Sequence, residues 1–204
     1  MKFVFYDWAG LNAWLFHAIN DLRGPLIDNV MLFGTRLGDH RNYPLYLAAA
    51  AICGLVAVFR DRKQSGLAIK WLTALAVFAV GYLVDSQLIA FLKPWLDYPR
   101  PLVALNGDVR VVGAPEFDHS LPSGHAAFIM LVAASFWPVA ARPYRILLAA
   151  LALWVGMSRI SLGDHFPADV MAGFLLSFAV VFILRGLIEW GLDIGMRSRT
   201  GPVQ

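Results

Sequence analysis

Three stretches of this chain carry the residue types that bind phosphate and move protons. They are Lys93 with Arg100-Pro101, the segment Pro122-Ser123-Gly124-His125, and Ser158-Arg159 followed by His165 and Asp169. Lysine and arginine supply positive charge, and the planar guanidinium fork suits tetrahedral oxyanions. A serine and a glycine ahead of an apolar run are typical of a helix start, where backbone N–H groups bind anions. The pattern indicates a phosphate site.

The two histidines add reactivity to this pattern. His165 and Asp169 are four residues apart, so one helical turn would bring them within reach of each other. A carboxylate on one ring nitrogen fixes the tautomer and leaves the other nitrogen free to act as a nucleophile. His125 could then protonate the leaving oxygen as a general acid. Neither a zinc-type histidine pair nor a carboxylate cluster for two metals is apparent, so we expect no metal and no other cofactor.

Long apolar segments must position these residues. The composition is 59% hydrophobic and 15% charged, against roughly 25% charged in an average soluble domain. The predicted spans are Tyr43–Phe59, Trp71–Leu92, Ala126–Ala141, Ile146–Leu162 and Val170–Ile188. Several are near the short end of the roughly 17 to 25 residues that a spanning helix needs. The sequence therefore predicts an all-α, polytopic membrane helix bundle.

The basic residues predict how the bundle is oriented. They are Arg60, Arg62 and Lys63 after the first span, Lys70 just beyond, Arg142 and Arg145 after the third, and Arg197 and Arg199 after the fifth. Simple alternation places these three locations on one side, and an excess of Lys and Arg marks the cytoplasm. The connections 93–125 and 163–169 then share the outer face. We expect a protein of the bacterial inner membrane whose phosphate pocket faces the periplasm.

The first 42 residues have a different pattern. Apolar residues recur there at helical spacing, namely Leu11, Trp14, Leu15, Ala18, Ile19 and Leu22. The stripe fits an amphipathic helix in the membrane interface, or equally a helix packed on the bundle. Asp21, Arg23 and Asp28 argue against a sixth span without excluding one, which gives five to six transmembrane helices. The predicted regions are 1–42 (N-terminal amphipathic), 43–190 (transmembrane, catalytic) and 191–204 (cytoplasmic tail).

The three motifs together resemble the type 2 phosphatidic acid phosphatase superfamily. The resemblance covers residues 93–169 closely and the surrounding spans loosely, and says little about residues 1–42. It implies a metal-free histidine phosphatase in which His165 is the nucleophile, Asp169 orients it and His125 is the acid. The implied phosphate ligands are Lys93, Arg100, Ser123, Gly124 and Arg159.

Other polar residues in and around the motifs are predicted to have supporting roles. Asp85 lies inside the second span, about two helical turns before Lys93, and an intramembrane carboxylate is a functional-site hypothesis by default. We expect Asp85 and Ser158 to support the site from behind, although Asp85 could instead pair with a pocket cation or bond a neighbouring helix. Asp164 and His119 are predicted to be loop residues. The acidic loop residues, attributed to solvation, are Asp97, Asp108, Glu116 and Asp118.

The resemblance implies a lipid phosphate substrate, and the surrounding partners would be membrane lipids. Candidates are undecaprenyl diphosphate, phosphatidylglycerol phosphate, lipid A phosphate and phosphatidic acid. The small chain and the short 102–121 loop favour undecaprenyl diphosphate, because they leave little material to recognise a large sugar head group. Alternatives are a lipid phosphotransferase, a haloperoxidase (disfavoured by the spans), and a lipid transporter or phosphate-binding membrane protein. No basic run interleaved with aromatics predicts nucleic-acid binding, and the sequence predicts no oligomeric state.

Overall fold

The fold was analysed in a computed structural model that describes residues 6–22, 24–61 and 66–199. The helices are α1 Leu11–Asn20, α2 Pro25–Leu37, α3 Tyr43–Arg60, α4 Leu67–Leu96, α5 Pro101–Ala104, α6 Gly124–Phe136, α7 Arg142–Ser161 and α8 Pro167–Arg199. A short 3₁₀ turn, His40–Asn42, precedes α3. No β-strand occurs within these ranges, so the prediction of an all-α bundle is confirmed. The predictions for Arg23, Arg62 and Lys63 lie outside the described residues.

Among the described residues, four helical segments are long and apolar enough to cross a membrane. They are His40–Arg60, Leu67–Ala104, Arg142–Ser161 and Pro167–Gly195. Three of them contain one predicted span each and extend beyond it at both ends. The fourth, Arg142–Ser161, begins before the predicted span Ile146–Leu162 and ends one residue short of it. α8 continues as far as Arg199, so the first part of the predicted cytoplasmic tail prolongs the last helix.

The third predicted span differs from the structure. The helix there, α6, has 13 residues, which at 1.5 Å per residue is about 20 Å against a hydrocarbon core of roughly 30 Å. It ends ahead of Pro138, which has no N–H to continue the i→i−4 pattern. α6 is instead the centre of the bundle, because it packs against α4, α7 and α8 and buries most of its residues.

α8 approaches the start of α6 closely at Gly173. A Cβ added at Gly173 would lie 2.5 Å from Ser123 O and 3.1 Å from Ala127 N, so any larger residue would push the two helices apart. The contact is reinforced by Ser123 N, which donates to Asp169 O at 3.0 Å. The first turns of the two helices are therefore held together as a unit.

α1 packs on the bundle through a polar face. Asn12, Phe16 and Asn20 are buried, whereas the apolar stripe of α1 faces outward and Trp14 is 63% exposed. Asn12 Oδ1 accepts from Ala168 N in the first turn of α8 at 3.0 Å. Asn20 Nδ2 donates to Ser161 O at the end of α7 at 2.9 Å. Helix ends leave backbone groups without partners, and these two amides bond such groups.

Candidate active site

One cavity of about 380 Å³ opens where α4 and α7 end and α6 and α8 begin. Its lining includes six of the predicted residues, namely Lys93, Arg100, Gly124, His125, Arg159 and His165. Ser123 and Asp169 are fully buried. Ser123 precedes the lining residue Gly124 in the chain, and Asp169 contacts the lining residue His165. The structure therefore brings together all the residues predicted to bind phosphate or move protons.

His165 lies between a carboxylate and a guanidinium. Its Nδ1 is 3.4 Å from Asp169 Oδ2, a long contact, and its Nε2 is 3.1 Å from Arg100 Nη1. Burial, reinforced by Arg100 and further cations, lowers the pKa of His165 well below its usual range. This favours a neutral ring that carries its proton on Nδ1, towards the carboxylate, and accepts from Arg100 Nη1 through the Nε2 lone pair.

Asp169 is held by more groups than the sequence suggested. Its Oδ2 accepts from Ser120 Oγ at 2.5 Å and from Phe166 N at 2.8 Å. Its Oδ1 accepts from the hydroxyl of Tyr6 at 2.8 Å. Burial and the nearby Asp169 charge raise the pKa of Tyr6, which keeps this hydroxyl protonated and able to donate.

Tyr6 and Ser120 were missed in the sequence analysis. Ser120 comes three residues before Ser123, so its closeness to the second motif was an available signal. Tyr6 is 163 residues from Asp169 and lies in no periodic pattern that would point to the site. Such a contact depends on the tertiary fold and carries no local signature.

Arg100 binds two loops and one acidic side chain. Its Nε donates to Asp118 O and its Nη1 to Asp164 O, both at 3.0 Å. Its Nη2 pairs with the carboxylate of Glu116, which lines the cavity. Glu116, for which solvation was favoured over catalysis, also pairs with a guanidinium that was predicted to bind phosphate.

Arg159 is oriented by residues from two other segments. Its Nη2 is 3.0 Å from Asp164 Oδ2, and both side chains are buried. Its Nη1 donates to Thr35 Oγ1 on α2. Asp164, in the loop after α7, is therefore the counter-charge that the buried Arg159 guanidinium needs. Gly163, at φ +86°, makes the left-handed turn that precedes Asp164.

The start of α6 lies at the cavity wall with one hydroxyl unused. Ser123 has the extended backbone of an N-cap, but its side chain makes no capping hydrogen bond. Its Oγ is buried and finds no partner among the described residues. A serine cap, which Ser123 could have supplied, is therefore absent, and Ser123 Oγ lies unpaired near the first turn of α6.

The two residues predicted to support the site from behind differ in position. Asp85 lines the cavity, and its Oδ2 accepts a hydrogen bond from Ser177 Oγ on α8, so it bonds a neighbouring helix. Ser158 Oγ donates to Val155 O within α7 at 2.7 Å. His119 pairs with Asp97 in the outer loop at 3.1 Å. Within the part of the chain that the structure describes, no group of three or more His, Cys, Asp or Glu side chains is placed to hold a metal ion.

Comparison with known proteins gives the family. The model of the PAP2 superfamily matches residues 70–191. The lipid A 1-phosphatase of Rhizobium johnstonii is 34% identical over 155 residues, which cover 71% of this chain and 61% of that protein. The undecaprenyl-diphosphatase of Sulfolobus acidocaldarius is 28% identical over 200 residues, which cover 96% of this chain and 82% of that protein.

A solved structure agrees with this relation. A transmembrane PAP2-type phosphatidylglycerolphosphate phosphatase from Bacillus subtilis superposes with a TM-score of 0.62 at 27% identity, covering 89% of this chain and 86% of that one. The chain matches less than two thirds of the Rhizobium protein's length, but the matched family region contains all three motifs. This chain belongs to the PAP2 superfamily and is an integral membrane protein.

Proposed function

We propose that this protein removes phosphate from a membrane lipid through a phosphohistidine intermediate on His165. The observation that carries the proposal is the convergence of three cations, the start of α6 and the His165 ring on one cavity. Lys93, Arg100 and Arg159 would bind the phosphate oxygens together with Ser123 and the N–H groups of the first turn of α6. Fixed positive charges in a desolvated site stabilise the transition state of phosphoryl transfer.

In the first step, His165 Nε2 attacks phosphorus while the bond between phosphorus and the leaving lipid oxygen breaks. A protonated His125 donates its proton to that oxygen. Burial and Arg159 lower the pKa of His125 in the folded protein, and the negative charge of a bound phosphate would raise it again. Asp169 holds the Nδ1 proton of His165 and offsets the positive charge that develops on the ring. The neutral state of His165 supports this role, because a protonated ring has no lone pair with which to attack.

In the second step, a water molecule attacks the phosphohistidine. The new bond forms between the water oxygen and phosphorus, the bond between phosphorus and Nε2 breaks, and His125 takes the proton from the water. Inorganic phosphate leaves, and both histidines return to their starting states. A lipid acceptor in place of water would make the protein a phosphotransferase.

The lower part of the cavity supports a lipid as substrate. Between the charged end and Asp85 the walls include apolar residues of α4 and α6, namely Ile89, Ala90, Phe128 and Leu131. A hydrocarbon tail can lie along these residues while the phosphate stays among the cations. The distribution of basic residues favours the periplasmic face of a bacterial inner membrane, since the cavity lies at the end opposite Arg60 and Arg142.

The identity of the lipid has two lines of support. The relatives described above are named for lipid A, undecaprenyl diphosphate and phosphatidylglycerolphosphate. The short 102–121 loop favours undecaprenyl diphosphate, which stays a prediction from the sequence. The Asp85 carboxylate in the lower cavity bears on the choice of lipid separately.

Phosphate release by the purified protein from a panel of these lipids, with and without a chelator, tests the proposal. Wild type should release inorganic phosphate and accumulate an acid-labile, base-stable phosphoprotein. His165→Asn should do neither. His119→Asn is the matched control, because His119 is a partly exposed loop residue at φ +52°, a conformation that asparagine tolerates.

Two results would overturn the proposal. Undiminished lipid turnover in His165→Asn would exclude the phosphohistidine. Activity that vanishes with chelator would exclude the metal-free mechanism. Transfer of the substrate's phosphate to a second lipid, with no release of inorganic phosphate, would show that the protein is a phosphotransferase instead.

A further inference from the structure

The cavity continues from the phosphate-binding end to a buried carboxylate. Asp85 is 3% exposed and lines the cavity. It shares one face of α4 with Ile89 and Lys93, since residues four apart on a helix are neighbours. His125 and Phe128 of α6 form the facing wall. The cavity is therefore a groove between α4 and α6, with cations at one end and a carboxylate at the other.

One oxygen of Asp85 has no protein partner. Oδ2 accepts from Ser177 Oγ, whereas Oδ1 is buried and has no hydrogen-bond partner among the described residues. Leaving a buried acceptor unpaired is costly, and the mechanism proposed above makes no use of this one. Oδ1 belongs to a side chain that lines the cavity, so we take it as the acceptor for a donor on a bound lipid.

We propose that Asp85 recognises a hydroxyl or amide N–H that the substrate carries deeper in the membrane than its phosphate. The inference rests on the proposed lipid phosphatase function. Asp85 and Lys93 are eight residues apart, so the donor lies up to about 12 Å below the phosphate along the helix axis. The substrate class is phosphorylated lipids with hydroxyl or amide groups beside their hydrocarbon chains.

This criterion discriminates between the candidate lipids. A polyprenyl chain is a pure hydrocarbon beyond its phosphates, so it would leave Asp85 Oδ1 unpaired in an apolar groove. A lipid with an amide-linked or hydroxylated chain would satisfy it. The groove therefore argues against undecaprenyl diphosphate as the preferred substrate, in contrast to the prediction from loop length.

Two lipids with matched phosphate groups test the inference. Phosphatidic acid with ordinary acyl chains and phosphatidic acid with 3-hydroxyacyl chains have the same phosphomonoester and glycerol backbone, but only the second has hydroxyl groups further along its hydrocarbon chains. Wild type should show at least about tenfold higher kcat/KM for the 3-hydroxyacyl lipid, as expected when a buried acceptor gains a hydrogen-bond partner. In Asp85→Leu, which keeps bulk but has no acceptor, the ratio of the two kcat/KM values should approach one.

Ser177→Ala is the matched control. It removes the bond between α4 and α8 but keeps the Asp85 carboxylate, so the ratio should stay near that of wild type. An equal fall of the ratio in both variants would show that the helix contact, rather than recognition, is what Asp85 provides, and would overturn the proposal. An unchanged ratio in Asp85→Leu would overturn it too, including when both activities fall together.

The comparison of the two lipids with the wild-type protein tests the proposal even where Asp85→Leu does not fold. Equal kcat/KM for the two lipids in wild type contradicts the role of Asp85 and leaves the phosphatase function intact. Phosphate release from neither lipid, or release that persists in His165→Asn, contradicts the proposed function itself. The two failures are therefore distinguishable.

Discussion

The Tyr6 hydroxyl donates a hydrogen bond of 2.8 Å to Asp169 Oδ1 and so joins the N-terminal segment to the site. The Tyr6 ring lies 4.3 Å from the ring of Tyr98 and 5.9 Å from that of Phe166, measured between centroids. Ser120 bonds the other carboxylate oxygen. Residues outside the motifs therefore bond both carboxylate oxygens of Asp169, and one of them, Tyr6, belongs to the N-terminal segment.

Tyr6→Phe should lower kcat and leave KM nearly unchanged. Tyr6 bonds the carboxylate that orients His165 and is not among the residues that line the cavity, so its loss should weaken the chemical step. A hydrogen bond to a charged group is worth about 1.5 to 3 kcal/mol, which corresponds to roughly a tenfold or larger loss of kcat. Steady-state kinetics against Tyr144→Phe, an exposed tyrosine of α7, provides the comparison. A wild-type kcat in Tyr6→Phe would rule out this positioning role.

Asp164→Asn should raise KM strongly. The substitution keeps the shape of the side chain but removes the counter-charge of buried Arg159, so the guanidinium loses the partner that aims it at the phosphate. Removal of one partner of a buried pair costs about 3 to 5 kcal/mol, and we expect a KM increase of at least about tenfold. Asp108→Asn, in the exposed loop, is the control. Equal KM values in the two variants would contradict the assignment.

Glu116→Gln should lower KM. The Glu116 carboxylate pairs with Arg100 where substrate phosphate is proposed to bind, so it competes with the phosphate for the same guanidinium. Because Glu116 is half-exposed, solvent screens the pair and the gain is modest, about two- to fivefold. KM and the inhibition constant of inorganic phosphate should fall together. A higher KM in Glu116→Gln would mean that this carboxylate assists binding.

His165 should stay neutral as the pH falls through the ordinary histidine value of 6.5. Burial and then Arg100 lower the pKa of His165 in the folded protein, so the unfolded chain binds the proton first. The folded state therefore loses stability as the pH falls below 6.5. The ¹⁵N shifts of the His165 ring report its protonation, and Arg100→Gln should move its pKa upward. A ring that is half protonated at pH 6.5 in wild type would contradict the lowered pKa.

The convergence of the motif residues could be predicted because helix alternation leaves few choices. Once Lys93 ends one span and His125 starts the next helix, the ends that carry Arg159 and His165 must lie at the same end of the bundle. The structure has all four at one cavity. Most helix positions were also predictable from apolar length, with α6 as the exception that Pro138 shortens.

The partners of the motif residues could not be predicted in this way. Thr35 reaches Arg159 from 124 positions away, and no spacing rule links them. The buried Asn12 and Asn20 of α1 lie off the apolar stripe, and they bond the start of α8 and the end of α7. In a bundle whose outer surface is apolar, polar side chains point inward to backbone groups that lack partners. On α1, Asn12 and Asn20 therefore face the bundle while Trp14 faces outward, which is the opposite of the arrangement on a soluble protein.

The length of α6 has a consequence for where the reaction takes place. A central helix of about 20 Å is shorter than a hydrocarbon layer of roughly 30 Å, whereas its neighbours α4, α7 and α8 are long enough to cross one. Because these longer helices enclose α6, we expect the protein, rather than a thinned bilayer, to fill the difference. A lipid phosphate would then have to leave the head-group layer to reach a site at the start of α6, and the protein would set the depth of that site.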